Sequence, residues 1–186
     1  MTGTASRHTH VMPSHLNVEI KARCADPEAV LQRLQGVGAV LQGVDRQVDT
    51  YFHAASGRLK LRTGNIENSL LHYLREDHAG PRDSHVTLIE TRAEESAALR
   101  SLLAAALGIA VEVDKLRHIL WIDNVKFHVD EVQGLGAFVE IEAIDRTGEL
   151  GRACLLTQCE QYLELLGIAE TELEATSYSD LAVAGA

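Results

Sequence analysis

Leu16-Asn17-Val18-Glu19-Ile20-Lys21-Ala22-Arg23 places a charge at every second position from Glu19 onward, with aliphatic residues between. Successive side chains of an extended chain point to opposite faces. Glu19, Lys21 and Arg23 therefore share one face of a strand, and Val18, Ile20 and Ala22 share the other. The device recurs in Arg58-Leu59-Lys60-Leu61-Arg62, Lys115-Leu116-Arg117, Lys126-Phe127-His128-Val129-Asp130 and Glu140-Ile141-Glu142. One such strand can simply be solvated on its charged face. A chain that repeats the pattern in segment after segment lines something polar of both signs, or forms an open sheet with a salt-bridged face.

The remaining elements follow outward from that strand. Residues 1–14 are polar and aperiodic and read as a disordered tail, leaving 15–182 as one domain. Asp26-Pro27-Glu28 starts a helix, with Asp as N-cap and Pro at the first helical position, and Gly36 and Gly38 end it. Strands are expected in 39–76 and again at 85–91, separated by a loop over 77–82. Glu94 to Leu107 has helical spacing, with Leu99, Leu102, Leu103, Ala106 and Leu107 as its buried stripe and Gly108 at its end. Two alternating runs, 111–122 and 125–132, meet at Asp123-Asn124 as a hairpin. A strand at 137–143, a helix at 149–166 closed by Gly167, and a short segment at 171–182 that docks on the body complete the chain.

About eight strands in antiparallel succession with three helices predict an α+β or barrel-like fold. If the sheet closes, one face turns inward. The aliphatic sets Leu59/Leu61, Phe127/Val129 and Val139/Ile141 need cover that the helices can provide from outside, so the charges are expected inside.

Composition bounds the function. The formal net charge of -10 opposes non-specific binding to nucleic acid or an anionic membrane, which makes locally concentrated bases more telling. Three cysteines are too few for a disulfide framework and read as reduced packing residues. With no apolar run of about 18 residues and no signal-peptide core, a cytoplasmic protein is expected. Trp121 reads as a hairpin packing residue, and an exposed strand edge or helix is available for a homodimer.

Bases at alternating positions suit a polyanion lying along the strands, Arg by its fork and Lys as a point charge. Carboxylates in the same cavity would repel phosphate unless a hard cation such as Mg²⁺ or Mn²⁺ stands between. The combination points to a metal–triphosphate site and to phosphoryl or nucleotidyl transfer.

These segments resemble the CYTH superfamily, the triphosphate tunnel enzymes. The resemblance spans Leu16 to Leu181. It rests on Asn17-Val18-Glu19-Ile20-Lys21, Asp49-Thr50-Tyr51-Phe52, Arg58–Arg62, Lys115-Leu116-Arg117, Val129-Asp130-Glu131-Val132, Gly134-Leu135-Gly136-Ala137-Phe138-Val139-Glu140-Ile141-Glu142 and Ser177-Tyr178-Ser179-Asp180-Leu181. It implies an eight-stranded antiparallel closed β-barrel holding a small-molecule triphosphate and Mg²⁺ or Mn²⁺. By matching position, Glu19, Asp130, Glu140 and Glu142 would hold metal, while Lys21, Arg62, Arg75, Lys115 and Arg117 would hold phosphate. Lys60, Arg58 and Lys126 join the phosphate set by strand phase. The Lys-x-Arg and Phe-x-Val-Asp strands look most like class IV adenylyl cyclases; a triphosphatase and a non-catalytic polyphosphate- or nucleotide-binding protein are the alternatives. Two departures bear on activity: Asn17 stands at the first glutamate of the signature, and Arg75 stands where many members have Lys.

Overall fold

A computed structural model describes residues 11–75 and 80–185, without the side chains of residues 11–15, Arg75, Arg82 and His85. Along the chain run β1 (Val11–Arg23), α1 (Pro27–Gly36), β2 (Val40–Phe52), β3 (Arg58–Thr63), β4 (Ser69–Arg75) and β5 (Arg82–Glu90). Then come α2 (Ala93–Leu107), β6 (Ile109–Ile122), β7 (Val125–Val132), β8 (Gly136–Asp145), α3 (Gly151–Leu166), a 3₁₀ turn (Glu170–Glu172) and α4 (Tyr178–Ala184). The strands form a closed antiparallel barrel in the order β1-β5-β4-β3-β2-β6-β7-β8, with β1 pairing both β5 and β8. Residues 1–10 of the expected tail lie outside the described residues, whereas Val11–Ser14 are already strand.

The barrel has two distinct ends. One carries the β3–β4 loop, the β6–β7 turn and the end of β8, because Arg62 pairs with Ser69 and Ile122 with Val125. At the other, Tyr51, Tyr73, Val113, Val132 and Phe138 pack with Tyr178 at the start of α4, and Leu181 and Ala182 of α4 cover them. Phe138 and Tyr178 meet edge to face, with ring centroids 4.9 Å apart.

Strand phase is as expected. Val18, Ile20, Ala22, Phe127, Val129, Val139 and Ile141 face outward and are buried beneath α1 and α3, which contribute Val30, Leu34, Leu155, Cys159 and Leu166. The Asp26 carboxylate caps α1 by accepting from the Ala29 amide at 3.0 Å. Gly167 closes α3 in the left-handed conformation at φ 67°, where a side chain would be strained.

Three expectations need correction. Four α-helices, not three, are present among the described residues, since the C-terminal segment also forms one. Helix α2 forms where its spacing places it, but its apolar stripe is not a core face. Leu102 is 65% and Leu107 39% exposed, and Ser96 is its one buried residue. The helix packs mainly on β2 and β3 and reaches β6 through Arg100, which donates to Glu112 at 3.0 Å. Finally, Cys159 is packed as expected, but Cys154 is exposed and Cys24 only half-buried.

Candidate functional site: the polar barrel interior

The inward faces enclose a cavity of about 540 Å³. Lys21, Lys60, Arg62, Lys115 and Arg117 line it while almost fully buried, joined by Glu19, Lys126, Glu140 and Glu142. These nine expected site residues are thus brought together. Arg58 sits at the α4 end, where its guanidinium donates to Asp180 at 2.7 Å. The Arg75 side chain lies outside the described residues. Asp130 is fully buried behind the wall rather than lining the cavity.

Three carboxylates organise the bases. Asp49 of β2 has no exposed surface and accepts from Lys60 Nζ at 2.9 Å, Lys115 Nζ at 2.6 Å and Arg62 Nε at 3.0 Å. Burial alone would push its carboxyl upward, but Arg62, Lys115 and Lys60 outweigh it and hold Asp49 well below the usual carboxylate range. Asp130 accepts from Arg117 Nε at 2.7 Å and from the Tyr178 hydroxyl at 2.9 Å, which fixes the guanidinium fork. Arg117 Nη2 also donates to Glu140 at 2.8 Å. Glu67, from the β3–β4 loop, accepts from Arg62 Nη1 at 2.9 Å and from Lys126. That loop is held in turn by Asp45, whose carboxylate accepts from the Ile66 and Glu67 amides, both at 2.9 Å.

The sequence pattern assigns no site role to Asp49, Glu67 or Tyr178. For Asp49 a signal existed: Asp45, Gln47, Asp49 and Tyr51 alternate along β2 as regularly as the bases do along β3. Glu67 carries none, because it lies in a loop that only tertiary structure folds over the barrel end. Trp121, expected to be hairpin packing, instead lines the cavity.

Around Asp49 three bases share one carboxylate. Burial pushes the Lys115 ammonium down to about 7; Asp49 opposes this, and Arg117, Arg62 and Lys60 reinforce it. The His128 imidazole, with Nδ1 3.2 Å from Glu140 Oε2, is pushed down to about 3 by burial, Arg117 and Lys126, and is therefore neutral. On the far wall the imbalance is reversed. Glu19 of β1 faces Glu142 of β8 in register, a like-charge pair that is unfavourable by itself. Burial raises the Glu142 carboxyl; Lys126 opposes the shift, and Glu19, Glu140 and Glu67 add to it. Asn17 of β1 donates its amide to Glu142.

This acidic wall is chemically suited to a hard divalent cation. Among the described residues no group of three His, Cys, Asp or Glu side chains is arranged to hold a metal unaided. A cation bound at Glu19 and Glu142 would therefore draw its other oxygens from water and substrate phosphate, the usual mode for Mg²⁺.

A family model described as the CYTH domain matches residues 15–178. Among solved structures, the PH1012 protein of Pyrococcus horikoshii is 24% identical with a TM-score of 0.73, the match covering 89% of this chain and 98% of that one. A protein of Vibrio parahaemolyticus described as a proposed adenylate cyclase is 17% identical with a TM-score of 0.70, covering 90% of this chain and 98% of its own. HpAC1 of Hippeastrum, described as having a dominant triphosphatase activity, is 17% identical with a TM-score of 0.58, covering 90% and 94%. No curated protein matches. At these identities the solved structures speak for the fold, and the family model, which takes in most of the chain, speaks for descent: the chain belongs to the CYTH domain family.

Proposed function

We propose that this protein is a metal-dependent enzyme acting on a triphosphate held in the barrel, and that it cyclises ATP to cyclic AMP and pyrophosphate. The observation that carries the triphosphate reading is that five buried bases, Lys21, Lys60, Arg62, Lys115 and Arg117, line one cavity together with a Glu19–Glu142 pair. The bases supply charge to consecutive phosphate groups, and the carboxylate pair supplies a seat for Mg²⁺ or Mn²⁺. A bound cation would neutralise charge that develops on the phosphate oxygens. Arg117 is held rigid by Asp130, so its remaining Nη2 hydrogen bond, now given to Glu140, is positioned before substrate arrives. His128, neutral and buried, lies with Nδ1 3.2 Å from Glu140 Oε2, so its Nδ1–H can hold that carboxylate in place.

The second reading is hydrolysis of inorganic, nucleoside or thiamine triphosphate. It is favoured by Asn17, which replaces one carboxylate of the acidic wall and can change which phosphate is presented for attack. Product analysis after incubation with ATP, inorganic triphosphate or thiamine triphosphate, each with Mg²⁺ or Mn²⁺, tests both. Cyclic AMP with pyrophosphate is the expected result, orthophosphate would install the hydrolase instead, and Glu140→Gln controls for contaminating activity. Metal-dependent binding without turnover would leave a binding protein. The proposed setting is cytoplasmic, with a small molecule rather than nucleic acid or membrane as partner; among the described residues no helix is long and apolar enough to cross a membrane.

Lys115 gives this reading a pH signature. A polyanion beside it favours the charged ammonium, so binding raises its pKa from about 7 and takes up a proton. Calorimetric titration of inorganic triphosphate near pH 8, in buffers of differing ionisation enthalpy, is expected to show net uptake approaching one proton. Lys115→Met should abolish that uptake. Stability has the matching sign. The unfolded lysine titrates near 10.4. Between about 7 and that value the unfolded chain therefore binds more protons, and the Lys115 contribution to stability rises with pH.

A further inference from the structure

We infer that the barrel mouth at the β6–β7 turn is a stacking subsite for a flat ring, built around Trp121, so that the triphosphate is an organic one that places its ring there. This deepens the triphosphate reading and rests on it. The two ends of the barrel are not equivalent. At the α4 end Tyr51, Tyr73, Phe138 and Tyr178 pack into one cluster covered by Leu181 and Ala182 of α4. At the opposite end the cavity continues past Lys126 to the half-buried indole of Trp121. A second hollow of about 280 Å³ adjoins it and shares Trp121, Ile144 and Arg146 with the main cavity. That volume falls below the usual range for a whole drug-sized ligand, which suits a single ring system whose charged tail lies elsewhere.

The chemistry at this mouth differs from that of the barrel centre. The Lys126 ammonium lies 5.4 Å and the Arg146 guanidinium 5.9 Å from the Trp121 ring centroid, within reach of a cation–π contact. Lys126 also reaches Glu67, so the indole stands where the row of bases ends and apolar lining begins. Trp121 Nε1 donates to Gln42 at 2.8 Å, which fixes the plane of the indole. An incoming ring can stack on Trp121 or on the Arg146 plane, both tolerant of ring identity because every base has a π face. Two buried polar atoms at this end, the acceptor Asn17 Oδ1 and the Thr91 hydroxyl, line the same cavity and have no hydrogen-bond partner among the described residues. Asn17 is paired in register with Ile144, directly beside the mouth. Asn17 Oδ1 suits the polar edge of a base or the hydroxyls of a sugar, whereas an ionised inorganic triphosphate has no donor to offer it.

Trp121 is the single tryptophan of the chain, so its fluorescence reports this mouth alone. The experiment titrates the wild-type protein with α,β-methylene-ATP and with inorganic triphosphate in Mg²⁺, following binding by calorimetry and emission in parallel. The nucleotide is expected to change Trp121 emission in proportion to occupancy, and inorganic triphosphate at equal occupancy to change it little. Trp121→Ala is expected to weaken the nucleotide about tenfold and inorganic triphosphate less than twofold, with Trp121→Phe recovering most of the loss. Nucleotide that binds without disturbing Trp121, or a Trp121→Ala protein that loses both ligands alike, overturns the assignment while leaving the triphosphate barrel standing. If neither ligand binds the wild-type protein, the triphosphate reading fails and this assignment with it. Should Trp121→Ala not fold, the wild-type emission and Trp121→Phe decide the matter alone.

Discussion

Asp49→Asn is expected to cost about 3–5 kcal/mol of folding stability, the usual penalty for removing one partner from a buried ion cluster. Asp49 is wholly buried and serves Lys60, Arg62 and Lys115 at once. The amide keeps the shape but removes the charge, leaving three bases to repel one another in a site where water screens them poorly. Urea unfolding would show the loss as a lower midpoint with an unchanged slope. Two accompanying results separate this cause from simple misfit. Inorganic triphosphate should restore more stability to the variant than to the wild type, because it supplies the missing anion. The deficit should also shrink as the pH rises toward about 7 and level off above it, because Lys115 without Asp49 sheds its proton at lower pH than in the wild type. A loss under about 1 kcal/mol, insensitive to both, would show that the cluster is not electrostatically strained.

Arg117→Lys is expected to lower turnover by about 10²–10³-fold, the usual effect of losing one oriented charge-stabilising donor. Charge is conserved in this change, so any effect comes from geometry. Arg117 spends its Nε and Nη2 on Asp130 and reaches Glu140 with Nη2 as well. A lysine can hold Asp130 or face Glu140 and the substrate, but it has no fork with which to do both. Asp130 would then keep the Tyr178 hydroxyl but lose its bidentate partner. Steady-state kinetics should place most of the effect in kcat rather than KM, since the total positive charge attracting substrate is unaltered. An equal loss in binding of inorganic triphosphate, with kcat retained, would make Arg117 a plain anion anchor.

These two residues were not equally legible. Arg117 announces itself through Lys115-Leu116-Arg117, because alternation is written into adjacent positions. Asp49 belongs to an equally regular run, but its meaning depends on Lys115, 66 residues away in the chain. Asp130 was expected beside a metal because of its place in a signature; in the barrel its carboxylate accepts from Arg117 and Tyr178. The tyrosine that claims it lies 48 residues further on. Helix α2 shows the converse. Its spacing announced a buried stripe, yet the helix rests on β2 and β3 with Leu102 and Leu107 left exposed.

The sequence by itself determined which segments are strands, which face of each is polar, and where α1, α2 and α3 begin or end. Those properties follow from side-chain alternation, capping residues and left-handed glycines, all of which act within a few residues. Only the tertiary structure decided that β1 closes on both β5 and β8, which end α4 seals, and which carboxylate holds which base. Closure and register bring together residues far apart in the chain, and a buried charge can be assigned a role only once its neighbours are known. The same barrel interior could otherwise have been an open, solvated face; its enclosure is what makes the charges strong.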